Sequence, residues 1–212
     1  MPFTVEQFFS VFERYNSSLP YAGTVLAAAA VLAVALSISG RTRSGNYVAA
    51  ILALMWAWAG AVYHIYFFAE INPAAYLFGG LFLIQAGIFG TLALRRGEDL
   101  SFQWRSDVYG WAGAAIMAFA LVIYPLLGQL AGHTFPRNPT FGLPCPLTIF
   151  TFGILLWSSR PVPRWVMAVP AIWAVIGTSA AILFGVGEDL GLIVAAIVVL
   201  VANEMRLSND SY

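Results

Sequence analysis

His64 and His133 are the only histidines of the 212-residue chain, and Cys145 is its only cysteine. Imidazole nitrogen and thiolate sulfur are donors that zinc or copper prefers, and Glu70, Glu188 and Asp189 supply carboxylates that could complete a site. No HxxxH or CxxC spacing joins these residues. A metal at His64, His133 and Cys145, or a haem held by the two histidines, would therefore rest only on their falling at one level of the fold. Each residue also has a plainer use. A histidine beside Tyr63 and Tyr66 at a helix end suits an anchor at a membrane interface. Cys145 lies between Pro144 and Pro146, where a helix tolerates proline in its first turn. There it is either small apolar punctuation or a thiol facing the positive end of the helix dipole.

Composition says what must position these groups. Hydrophobic residues make up 60% of the chain and charged ones only 9%, against roughly 25% charged in a soluble domain. Mean hydropathy is +0.81. The chain reads as an integral membrane protein, in a bacterial cytoplasmic (inner) membrane, with the lipid bilayer as its first partner. Formal net charge is zero, so no global field favours nucleic acid. All ten basic residues are arginine, which excludes lysine Schiff-base chemistry, a seven-helix retinal protein included. A single cysteine closes no intramolecular disulfide.

Apolar runs at 20–39, 46–68, 73–94, 110–130, 143–158, 165–186 and 190–202 predict an all-α bundle of seven transmembrane helices. The last run is the shortest, and a re-entrant segment is its alternative. Residues 1–19 lack the basic region and cleavage site of a signal peptide. Thr4 and Gln7 have capping-box spacing, and Val5, Phe8, Phe9 and Phe12 share a face, so an interfacial amphipathic helix is predicted there, with a disordered tail as the alternative. The transmembrane domain then covers 20–207, and 208–212 form a short tail. Arg41, Arg43, Arg95, Arg96, Arg105, Arg160, Arg164 and Arg206 follow the odd-numbered spans, whereas only Arg14 and Arg137 fall on the other side. That bias places the N-terminus outside and the C-terminus in the cytoplasm. Leu19-Pro20 and Leu143-Pro144, Trp56 and Trp173, and Glu70 and Glu188 occur in matching order, which suggests a parallel three-plus-one-plus-three repeat similar in layout to SWEET-type transporters.

Polar groups inside hydrocarbon are costly and are the default functional candidates. A cavity at the outer end would draw on His64, Tyr63, Glu70, Tyr124, Gln129, His133, Cys145, Glu188 and Asp189, with Gln85 nearer the midplane. Gln85, Thr178 and Ser179 could equally bond neighbouring helices. The four prolines at 136, 139, 144 and 146 predict a rigid loop over the bundle, and residues 95–110, with Phe102 and Trp104, read as an interfacial anchor. The stretches MPFTVEQFFSVFERYN, YHIYFFAEINPAA and GLPCPLTIFTFGILLW resemble an uncharacterised bacterial family of small multi-span membrane proteins, a domain of unknown function. The resemblance implies membrane location and lends no activity. The functional expectation is a small-solute or ion transporter with an outward-facing polar site. A membrane-embedded metal- or haem-binding protein, or an accessory subunit of a larger complex, is the alternative. The residues name no cofactor, and they leave a homo-oligomer or a partner subunit open.

Overall fold

The computed structural model of the protein describes residues 3–41, 43–95 and 101–209. Among these there is no β-strand, only two isolated bridges. Helix α1 is Val5–Ser18, and α2 is Ala22–Ser39, α3 Ser44–Glu70, α4 Ala75–Leu94 and α5 Val108–Leu130. Helix α6 is Pro144–Leu155, α7 Arg164–Phe184 and α8 Gly187–Ser208. Six of them, all but α1 and α6, are long and apolar enough to cross a membrane.

The short segment is therefore not the last apolar run. Helix α8 continues past Ala202 because Asn203 and Arg206 have partners inside the protein. Asn203 exchanges two hydrogen bonds with the backbone of Val162, at 2.7 and 2.9 Å, and Arg206 donates to the Ser158 carbonyl at 2.7 Å. Helix α6 is the short one, 12 residues or ~18 Å at 1.5 Å per residue. It lies at the centre of the bundle, and every residue in it but Cys145 is buried. A helix surrounded by protein can end in irregular backbone at membrane depth, which a lipid-facing helix cannot. Small residues allow this central position. A Cβ on Gly113 of α5 would come 2.7 Å from the Gly153 carbonyl of α6, and a Cβ on Gly60 of α3 would come 3.0 Å from the Gly79 carbonyl of α4.

Two helices widen locally. Ala59–Phe67 of α3 and Phe119–Ile123 of α5 are π-helical. The second precedes Pro125, whose ring lacks an N–H and would crowd the carbonyl four residues back in a regular helix. In α7, Pro170 leaves the Val166 carbonyl without its intrahelical donor. Gln85 of α4 supplies the replacement, donating to that carbonyl at 3.0 Å.

Helix α1 carries the capping box predicted for it, with Thr4 and Gln7 bonded reciprocally at 2.8 and 3.2 Å. Its buried face is Phe8, Val11, Phe12 and Tyr15, whereas Val5 is exposed. That face packs on α3 and α7, so α1 covers this end of the bundle. Residues 101–107 also differ from the expected anchor. Phe102 is buried and bridges Ser158, and the Gln103 amide donates to the Trp157 carbonyl at 2.9 Å, so the segment seals the end of α6. Arg96 and residues 210–212 of the tail lie outside the described residues.

Candidate functional site

Beneath α1 lies a cavity of about 230 Å³. Phe3, Phe8 and Phe12 roof it, Tyr63, His64 and Phe68 come from α3, and Phe78 comes from α4. Tyr124 enters from α5, Pro144 to Pro146 from the first turn of α6, Trp173 and Gly177 from α7, and Asp189 from the turn that opens α8. The π-helical stretch of α3 contains Tyr63 and His64, and that of α5 ends next to Tyr124. Both widened turns thus carry the helix surface towards the cavity, a common placement for such bulges.

His64 is fully buried, and neither of its ring nitrogens has a hydrogen-bond partner among the described residues. Aromatic rings box it in, with centroids of Phe82 at 4.8 Å, Trp173 at 4.9 Å and Tyr63 at 5.4 Å. The Trp173 indole N–H has no oxygen or nitrogen acceptor among the described residues, and it meets the Cys145 sulfur. Opposite them the Tyr124 hydroxyl donates to the Asp189 carboxylate at 2.5 Å, and the Cys145 thiol interacts with that carboxylate and with the Trp173 indole. Buried polar groups ordinarily have partners. An unpaired imidazole on a void is what a ligand with hydrogen-bonding atoms would satisfy.

The lining residues that are exposed or partly exposed are Phe3, Asn72, Phe78, Ile176, Ser179, Leu183 and Phe184, with Cys145 the partly exposed residue on the inner side. The mouth therefore opens in the crevice between α4 and α7, under the start of α1. Polar bonds seat that cover. Asn16 donates to the carbonyls of Pro136 and Asn138 at 2.7 and 2.8 Å, Thr140 donates to Asn16, and Arg137 pairs with Glu6 at 2.8 Å. The proline-rich loop thus holds α1 in place. Trp58 donates to the Tyr15 hydroxyl at 2.9 Å, and burial raises the Tyr15 phenol above its ordinary pKa against the opposing effect of that bond. Bonding to Glu70 likewise raises the Arg14 pKa.

The ten residues expected around the cavity divide. His64, Tyr63, Tyr124, Cys145 and Asp189 line it. Glu70 does not, because Arg14 of α1 draws it to the surface. Gln85 is bonded to Val166, and Gln129 is exposed. His133 and Glu188 pair with each other at 3.1 Å beside the cavity rather than in it. The carboxylate comes within 2.9 Å of where a Cβ on Gly128 would be, so a larger residue there would push it aside. The trio His64, His133 and Cys145 is not assembled as a metal site, and no group of three or more His, Cys, Asp or Glu could hold an ion among the described residues. Thr178 and Ser179 bond carbonyls of their own helix. Trp173 was not among the expected residues. Its only signal was the i, i+3, i+4 spacing with Ile176 and Gly177, which any helix face can show.

Fold and site together define an all-helical protein with helices apolar enough to cross a membrane and an aromatic cavity under an amphipathic cover. The chain belongs to the family of unknown function DUF6064, which matches residues 5–210. No curated protein and no solved structure matches it.

Proposed function

We propose that the protein is a seven-span transporter of the bacterial inner membrane that takes up a small organic solute in the cavity beneath α1. The observation that carries this reading is His64, fully buried on the cavity with both ring nitrogens unpaired. Buried nitrogens without partners cost stability that a bound solute with hydrogen-bonding atoms would return. The ring-rich, largely apolar lining favours a solute with an apolar body over a hydrated inorganic ion, which needs a ring of oxygen ligands in place of its water. Counting α6 as a crossing gives seven spans and, with the arginine bias, an external α1. The parallel three-plus-one-plus-three repeat forms no part of this proposal. Its counterparts differ in place, α2 being the least buried of the candidate spans and α6 the buried centre. A stable partner subunit in mild detergent would favour the accessory role instead.

Purified full-length protein screened by thermal unfolding against small organic solutes and inorganic salts tests the reading. Stabilisation by organic compounds, lost in His64→Phe, and their saturable uptake into proteoliposomes are expected. Stabilisation or uptake confined to inorganic ions would overturn it.

A further inference from the structure

Asp189 is the acidic group of the cavity with no basic partner among the described residues. It is 3% exposed. The titratable groups facing it are the Tyr124 hydroxyl from α5, the Cys145 thiol from α6, the Tyr63 hydroxyl from α3 and its own neighbour Glu188. All are neutral or acidic. The chain has no lysine, and no arginine or histidine pairs with Asp189 among the described residues. The nearby basic groups are taken, His133 by Glu188, Arg14 by Glu70 and Arg137 by Glu6. A buried carboxyl without a countercharge either holds its proton or ionises when a cation arrives beside it. This one lies on a void.

The remaining walls say what kind of countercharge fits. The rings of Phe12, Tyr63, Phe68, Phe78 and Trp173 line the same space, and aromatic faces attract cations within about 6 Å of the ring centroid. A metal ion is poorly served, since no metal-ligating cluster forms among the described residues. An organic ammonium needs no such cluster. Its methyl or methylene groups pack on rings while its charge faces the carboxylate, and a protonated amine could also donate to a ring nitrogen of His64. The mouth between α4 and α7 carries no charged side chain. Between Ala75 and Leu94 there is none at all, and α7 has only Arg164, at its far end. An amphiphilic cation dissolved at the membrane surface would meet apolar walls on entry and the carboxylate only at the bottom.

From this geometry we infer that the cavity is a recognition site for a lipophilic organic cation, an amine or quaternary ammonium with an aromatic or branched apolar body, and that Asp189 is its counter-ion. The inference rests on the proposal that the cavity takes a small organic solute, and it adds the charge.

Benzyltrimethylammonium and its uncharged isostere neopentylbenzene test it, since they differ only in replacing N⁺ by carbon. Binding to the full-length protein in detergent is measured for the wild type, Asp189→Asn and Phe78→Leu. Asp189→Asn keeps the shape and the Tyr124 hydrogen bond and removes the charge. The wild type should bind the cation at least tenfold more tightly than the isostere. Asp189→Asn should lose that preference while still binding the isostere, and Phe78→Leu should weaken the cation more than the isostere. Equal affinity of the wild type for both compounds, or an unchanged cation affinity in Asp189→Asn, would overturn the inference and leave the cavity as a site for neutral solutes. Binding of neither compound would overturn the inference and remove support from the organic-solute reading as well.

Discussion

The two ends of the bundle treat buried polar groups in opposite ways. At the end away from α1 they are matched to backbone. Asn46 donates to the carbonyls of Ala93 and Arg95 at the terminus of α4, Asn203 clasps Val162, Arg206 holds Ser158, and the Trp157 indole donates to Gly110 at 2.9 Å. The Ser158 hydroxyl is an exception there. Under α1 the seat of the cover is bonded apart from Asn138 Oδ1, yet the space below it keeps His64 unpaired beside a void. Hydrophobic packing and hydrogen bonding stabilise the first end. The second gives up part of both, and a bound solute would restore them. The two ends should therefore respond to substitution with different magnitudes and, at one position, with opposite signs.

The largest effect is expected where packing is tightest. Trp56 is fully buried, with Phe82 at 4.4 Å and its indole donating to Thr151 at 3.0 Å. Trp56→Ala should cost about 3–5 kcal/mol. Trp173→Ala, with one face already on the cavity, should cost roughly half as much by the same reasoning. Equal losses in detergent unfolding would erase the contrast between the ends. Gly153→Leu belongs with Trp56→Ala. Its side chain would strike Met117 Cγ at 2.7 Å and the Gly113 carbonyl at 2.9 Å, and overpacking of about 1–3 kcal/mol should appear as a lower yield of monodisperse protein.

A middle-sized effect is expected at Gln85. Gln85→Leu leaves the Val166 carbonyl, freed by Pro170, without a donor. A loss of about 1 kcal/mol is predicted. Gln85→Leu combined with Pro170→Ala should recover most of it, because a helical N–H then returns to that carbonyl. No recovery would mean that Gln85 acts through some other contact.

The smallest effect on folding is expected at the clasp of α1. The Arg14 and Glu70 side chains are 51% and 44% exposed, and exposed pairs contribute little and are screened by salt. Arg14→Ala should leave the unfolding temperature nearly unchanged while speeding hydrogen exchange in α1. A large drop in stability would instead make α1 part of the core.

These contrasts separate what the residues disclosed from what they hid. The positions of the apolar helices and the capping box of α1 were legible, because long apolar runs and a Thr-x-x-Gln signature act through local geometry. The covering role of α1 was not, since an amphipathic face looks the same whether it meets lipid or protein. The central place of α6 was hidden for a similar reason: a run that is apolar on all sides does not say what surrounds it. At the site, His64 and Cys145 stood out by rarity. Glu188 and Asp189 could not be told apart, being adjacent and alike, and only the turn that begins α8 sends one to His133 and the other to Tyr124. The pairing of Gln85 with the gap left by Pro170 depends on which helices are neighbours. No spacing along the chain records that.

His64 is where the sign should reverse, and thermal unfolding of wild type and His64→Phe, each with and without protonated benzylamine, whose N–H groups can donate to a ring nitrogen, is the most direct measurement. Phenylalanine fills the aromatic box and removes two buried, unpaired nitrogens, so the empty variant should be as stable as the wild type or more so. Stabilisation by the added compound should be clear in the wild type and strongly reduced in the variant. A variant that is much less stable when empty yet shows the full response to the compound would contradict the central claim, because His64 would then be a structural residue and not the unsatisfied group of a binding site.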